Sequence, residues 1–190
     1  PDEIARAAVP SVYPVVLMVS RLVPWKGPDI FLKAAECLGN EHVTFVLYGQ
    51  TVDGYEKYAQ ELDRAIRRDY KQKVVFLRDS PVLANDILDL ADIVVHASVK
   101  PEPFGLVVIE AMAKAKPVIA SSLGGPAEII DHGVDGILLK PKDPQALAQE
   151  IRRLLNDKEA RMRLGKNAQL TARRRFDIRD YAGRFDVMFK

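Results

Sequence analysis

Val15-Val16-Leu17-Met18-Val19, followed by Ser20-Arg21-Leu22-Val23-Pro24-Trp25-Lys26-Gly27-Pro28-Asp29, decides the fold. The first five residues are apolar without alternation, which predicts a strand buried on both faces and not a strand with one wet side. Gly27 and Pro28 then break the chain ahead of a helical pattern over Asp29 to Leu38. Working outward, apolar runs recur at Val43 to Tyr48, Val74 to Leu77, Ile93 to His96, Pro117 to Ala120 and Ile137 to Leu139. Helical patterns lie between and after them, at Tyr55 to Tyr70, Val82 to Leu90, Gly105 to Ala115, Pro126 to Asp131, Pro144 to Asn156, Lys158 to Arg174 and Ile178 to Phe189. Strand and helix alternating in this way predict an α/β fold: a doubly wound, six-stranded parallel Rossmann-like sheet with helices on both faces. In such sheets ligands bind beyond the carboxyl ends of the strands, near the switch in strand order.

Residues 15–176 are read as one domain, a size usual for a single folding unit. Residues 1–14 hold three prolines and little periodicity, which predicts a linker arriving from an upstream domain. Residues 177–190 form a last amphipathic helix, with Ile178, Tyr181, Ala182, Phe185, Met188 and Phe189 on one stripe. That stripe is expected to pack on this domain or toward a further, N-terminal one. The chain starts at Pro1, without a signal segment, and reads as a piece of a longer polypeptide.

Composition narrows the function classes. With 48% hydrophobic and 28% charged residues, the chain is of ordinary globular type. No apolar run approaches the roughly 20 residues that span a bilayer. Cys37, the single cysteine, excludes an internal disulfide framework and is expected on the apolar face of its helix. His42, His96 and His132 have neither a Cys pair nor a helical partner, so no metal site is predicted and structural roles are expected for all three. Net charge is +2, yet residues 151–190 hold twelve Lys and Arg against five Asp and Glu. Arg161, Arg163, Lys166 and Arg173 to Arg175 read first as a solvated helical surface, and second as a contact with anionic lipid. Without interleaved aromatics the patch does not predict nucleic-acid binding.

Two segments carry candidate chemistry. Arg21 and Lys26 follow the first strand, where a planar guanidinium fork and a compact ammonium suit the oxygens of a diphosphate. An ordinary solvated loop would carry the same two cations. The second segment is Glu102-Pro103-Phe104-Gly105-Leu106-Val107-Val108-Ile109-Glu110. Free N–H groups of Phe104, Gly105 and Leu106 are expected at a helix start that favours phosphate, and Gly105 permits close approach. Glu102 and Glu110 can accept hydrogen bonds from vicinal hydroxyls. Glu110 sits in an otherwise apolar stretch, where burial without partners would be costly.

VSRLVPWKGPDI, PEPFGLVVIEAMAKAKPVIASSLGGPAEII and HGVDGILLKPKDPQALAQEI resemble the carboxy-terminal domain of glycosyltransferase family 4, retaining enzymes of GT-B fold. The resemblance covers Val15 to the C-terminus, with an R-x4-K pair, E-x7-E and Gly-Gly-x-x-Glu in the family's order. It implies that Arg21 and Lys26 hold the donor diphosphate and act in catalysis together with Glu102, which hydrogen-bonds the donor sugar. It further implies that the backbone of Phe104, Gly105 and Leu106 supports the sugar and phosphates, and that Glu110 holds the ribose. Gly49 matches the glycine that admits the nucleotide, and Arg78 opens the loop that contacts the base. Gly124 and Gly125 match paired glycines facing the interdomain cleft. Ser20, Arg78 and Ala115 stand where the family commonly has glycine.

The function so implied is transfer of a sugar from a UDP-, GDP- or ADP-sugar to an acceptor hydroxyl, with retention and without a required cofactor. The acceptor, a glycan or lipid-linked sugar, is expected to bind a separate N-terminal domain, leaving this portion inactive alone. The protein is expected in the cytoplasm, with peripheral contact at the membrane's cytoplasmic face. A non-catalytic nucleotide-sugar-binding module and a sugar-nucleotide 2-epimerase of the same fold remain the alternatives. An NAD-binding domain is disfavoured, because no G-x-G-x-x-G follows the first strand.

Overall fold

A computed structural model describes residues 2–39, 41–70 and 74–177. Its six strands are β1 (Val15–Arg21), β2 (Thr44–Gln50), β3 (Val74–Arg78), β4 (Ile93–His96), β5 (Val118–Ser121) and β6 (Ile137–Leu139). They form one parallel sheet in the order β3-β2-β1-β4-β5-β6. The order reverses between β1 and β4, so the loops leaving those two strands diverge around a crevice. β1 runs two residues beyond the apolar stretch, with Ser20 opposite Gly49 and Arg21 opposite Gln50. Arg21 is therefore the last residue of a strand and not part of the loop.

One layer of the core places α2 (Pro28–Cys37), α3 (Glu56–Ala65, continued by a π turn to Tyr70) and α7 (Pro144–Asn156) on one face of the sheet. Phe31 and Phe45 meet there edge to face at 5.3 Å, both fully buried. The other face is covered by α1 (Asp2–Ala8), α4 (Ala84–Leu90), α5 (Leu106–Ala113), α6 (Gly125–Ile129) and much of α8 (Lys158–Phe176). Helix starts follow local chemistry. Asp143 accepts from the Ala146 N–H and Asp157 from the Ala160 N–H, satisfying orphan donors of α7 and α8.

Residues 2–8, within the stretch read as a linker, are helical, and α1 packs on α4 with Ala5 and Val9 buried. Two expectations need correction. Cys37, expected on the apolar face of α2, is exposed. The buried stripe of that helix is Ile30, Phe31, Ala34 and Ala35, and Cys37 at its C-terminus turns outward. The helix expected over Gly105 to Ala115 is shorter, since Gly105 at φ 94° precedes it and Ala115 at φ 56° follows it. Both values lie in the left-handed region, which costs a non-glycine residue such as Ala115 roughly 1–2 kcal/mol. The amphipathic helix expected over residues 177–190 falls, beyond Asp177, outside the described residues.

Candidate functional site

The loops after β1 and β4 are stitched together before any side chain is considered. Val99 donates its N–H to the Trp25 carbonyl at 2.8 Å. Gly27 makes this approach possible, because a β-carbon there would lie 2.1 Å from the Ala97 carbonyl oxygen. The loop from Val99 to Gly105 is held from its other side by the glycine pair ahead of α6. Gly125 donates to the Glu102 carbonyl at 2.7 Å, and a β-carbon on Gly125 would stand 2.1 Å from the Phe104 oxygen. The paired glycines thus serve backbone geometry.

This scaffold opens a cleft of about 710 Å³ at the carboxyl rim of the sheet. Arg21, Lys26, Glu102, Phe104, Gly105, Leu106 and Glu110 all line it. Arg21 is exposed, its guanidinium 5.7 Å from the Trp25 ring centroid, and the Lys26 ammonium lies 4.7 Å from the same centroid. Glu110 is exposed at the cleft and so bears no burial cost. The first turn of α5 supplies Leu106 and Val107, whose N–H groups have no acceptor within the helix. Phe104 and Gly105 stand just ahead of the helix and not in its first turn.

Two site candidates lie apart from the cleft lining. Arg78 ends β3, half-exposed beside Asp79 at 3.7 Å. Gly49 is buried on β2, where a β-carbon would meet Leu22 Cδ2 at 2.3 Å, so internal packing already demands glycine. That end of the cleft is closed instead by Tyr48, Gln50, Leu83 and Ala84. Tyr48 is buried and donates to the Val82 carbonyl at 2.8 Å, fixing β2 against the approach to α4.

At the centre sits a group that no spacing rule links. Glu102 Oε1 accepts from Lys26 Nζ, and Glu102 Oε2 pairs with His96 Nε2 at 2.5 Å and with Ser98 Oγ at 3.2 Å. His96, expected to be purely structural, is thereby tied to the site. The overlooked signal was a polar residue ending an apolar strand at the rim where ligands bind. Burial pushes the Glu102 carboxyl up, but hydrogen bonds from His96 and Lys26, with their charge, outweigh it and hold the group at about 2. A carboxylate depressed in the folded state stabilises the fold above its ordinary value of 4.5, and that contribution fades as pH falls toward 2. By about pH 3, wild type is expected to lose about 2 kcal/mol relative to Glu102→Gln, compared with their difference at neutral pH. Urea midpoints of both proteins across this range check it; parallel curves would contradict the pairing.

The basic surface of α8 is partly spent on the fold. Arg161 donates to the Leu154 and Leu155 carbonyls, and Arg175 to those of Ile129 and Glu128. Arg163, Lys166, Arg173 and Arg174 stay exposed. Among the described residues no cluster of His, Cys, Asp and Glu could hold a metal ion, and no helix is long and apolar enough to cross a membrane.

Comparison with known proteins agrees with this architecture. HepE of Anabaena, solved in complex with UDP, superposes with a TM-score of 0.89 at 34% identity, over 98% of this chain and 51% of its own. A sucrose-phosphate synthase from Thermosynechococcus elongatus gives 0.84 at 29% identity, over 100% of this chain and 48% of its own. D-inositol 3-phosphate glycosyltransferase of Corynebacterium glutamicum is 34% identical over 172 residues, 84% of this chain and 39% of that protein. The chain thus spans about two fifths of that curated relative and half of these solved proteins, and its sheet corresponds to the C-terminal Rossmann-like half of a GT-B glycosyltransferase. With residues 1–171 matching the family described as "Glycosyl transferases group 1", the chain belongs to that family.

Proposed function

We propose that the cleft binds a nucleoside diphosphate sugar, and that in the full-length protein it serves transfer of the sugar to an acceptor hydroxyl with retention, as in family 4. The observation that carries this reading is the gathering of Arg21, Lys26, the start of α5 and two carboxylates around one opening. In the transfer, the bond from the anomeric carbon to the diphosphate oxygen breaks and its electron pair leaves with the diphosphate. The acceptor oxygen bonds to the anomeric carbon and passes its proton to the departing diphosphate oxygen. Arg21, Lys26 and the free N–H groups of α5 offset the charge gathering on the departing diphosphate. Glu110 holds the ribose hydroxyls, and Glu102 lies at the sugar end. The acceptor is held by the portion of the protein beyond this chain, whose closure completes the site and excludes water.

HepE was solved with UDP, so uridine is the base we favour. Calorimetric titration of the full-length protein with UDP, GDP and ADP tests this reading. Saturable binding with UDP tightest is the expected result, whereas no heat from any of the three would end the donor-site assignment.

A further inference from the structure

The carboxylate of Glu102 is occupied before any ligand arrives. Lys26 takes one oxygen, while His96 and Ser98 share the other. His96 is 5% exposed at the end of β4, in the middle of the sheet, where it registers with Ala120 on β5. Its neighbours Ile93, Val94 and Val95 are apolar and buried. The ring borders a cavity of about 20 Å³ lined by apolar side chains such as Ile30 and Leu147 and also by Ser121, Lys140, Lys142 and Asp143. Nδ1 has no hydrogen-bond partner among the described residues, so the side-chain contacts of the ring run through Nε2. Besides the Ser98 hydroxyl at 3.3 Å, the Glu102 carboxylate is the polar group its Nε2 meets.

The backbone of the Glu102 loop is already fixed by Gly125 and Trp25, but those bonds do not set where the carboxylate points. His96 Nε2, joined by the Ser98 hydroxyl, holds Oε2, and Oε1 is left facing Lys26. A lysine side chain left free samples many rotamers, worth about 2 kcal/mol of entropy. Lys26, with its side chain only 10% exposed, is held in one. We infer that His96 is a positioning residue: from inside the sheet its Nε2 aims the Glu102 carboxylate, which in turn parks the Lys26 ammonium at the diphosphate end of the cleft. The inference rests on the donor-site reading given above, with His96 acting through two other side chains and touching no substrate.

The test uses the full-length protein with UDP as probe and uridine, which lacks the diphosphate, as control. His96→Phe keeps a ring but removes the donor, and UDP affinity is expected to fall about tenfold, the scale of one hydrogen bond to a charged group. Uridine affinity, measured by competition, stays unchanged. His96→Gln, whose amide nitrogen reaches nearly as far as Nε2, restores most of the loss. On a Lys26→Ala background, His96→Phe adds no further loss of UDP binding, since both act through one contact. Should the phenyl ring prevent folding, His96→Leu removes the same donor with a smaller side chain. Equal losses for UDP and uridine, or unaltered UDP binding in His96→Phe while Lys26→Ala weakens it, would overturn the inference and leave the donor site standing. Wild type that ignores UDP, GDP and ADP alike, or Lys26→Ala that binds the tightest of them normally, would bring down the donor site itself and the positioning role with it.

Discussion

Lys26→Ala in the full-length protein is expected to slow sugar transfer by about 10²- to 10³-fold, the usual effect of losing one preorganised charge contact to a leaving group. The same change leaves the half-buried Glu102 carboxylate without its cation, so stability falls as well. Arg21→Ala separates the two effects. Arg21 is exposed and its contact is the Trp25 ring, so its removal is expected to cost a comparable factor in turnover with little change in the urea midpoint. Steady-state rates with the best donor, measured beside denaturation curves, decide the matter. Normal rates in both variants would remove the diphosphate role from this loop.

Gly27→Ala is the substitution expected to damage the fold most. Gly27 lies at φ 75°, and its added methyl would sit 2.1 Å from the Ala97 carbonyl oxygen, with the Ala97 carbonyl carbon at 3.0 Å. A left-handed alanine costs roughly 1–2 kcal/mol, and an overpacked backbone contact typically adds about 1–3 kcal/mol. We expect a loss of about 3 kcal/mol, read as a shift in urea midpoint. The relief available to the chain is to move the Lys26 loop off the end of β4, so UDP binding weakens in whatever fraction remains folded. A midpoint near wild type would mean that the two loops are less tightly joined than the Val99 to Trp25 hydrogen bond implies.

Much of this site was legible in the sequence because its parts obey local rules. All six strands lie within one or two residues of the apolar runs that announce them, since a strand covered on both faces has to be continuously apolar. Arg21, Lys26, Glu102 and Glu110 share one cleft because each follows, or begins near, the carboxyl end of β1 or β4, the two strands flanking the reversal in order. What escaped was set by tertiary contact. His96 and Glu102 are six residues apart, a spacing with no meaning in a helix or a strand, and they meet because the bridge between Glu102 and Gly124 folds the loop back over β4. Helix α1 was hidden by its brevity and by Pro10 and Pro14 just after it; its hold on α4 comes from Ala5 and Val9, too few to show a period. The tie between Arg78 and the base rests on the resemblance alone. The strand that Arg78 ends is the edge one, with two strands between it and the reversal, and Tyr48 and Leu83 take the place nearer the crevice.

The mutual fastening of the Lys26 and Glu102 loops has a consequence for how such a protein can diversify. The ties described for the cradle, from Trp25 through Val99 to Gly125, join residues of this chain to one another. On the donor-site reading proposed above, a module braced in this way would keep its anion seat when joined to a different acceptor-binding portion.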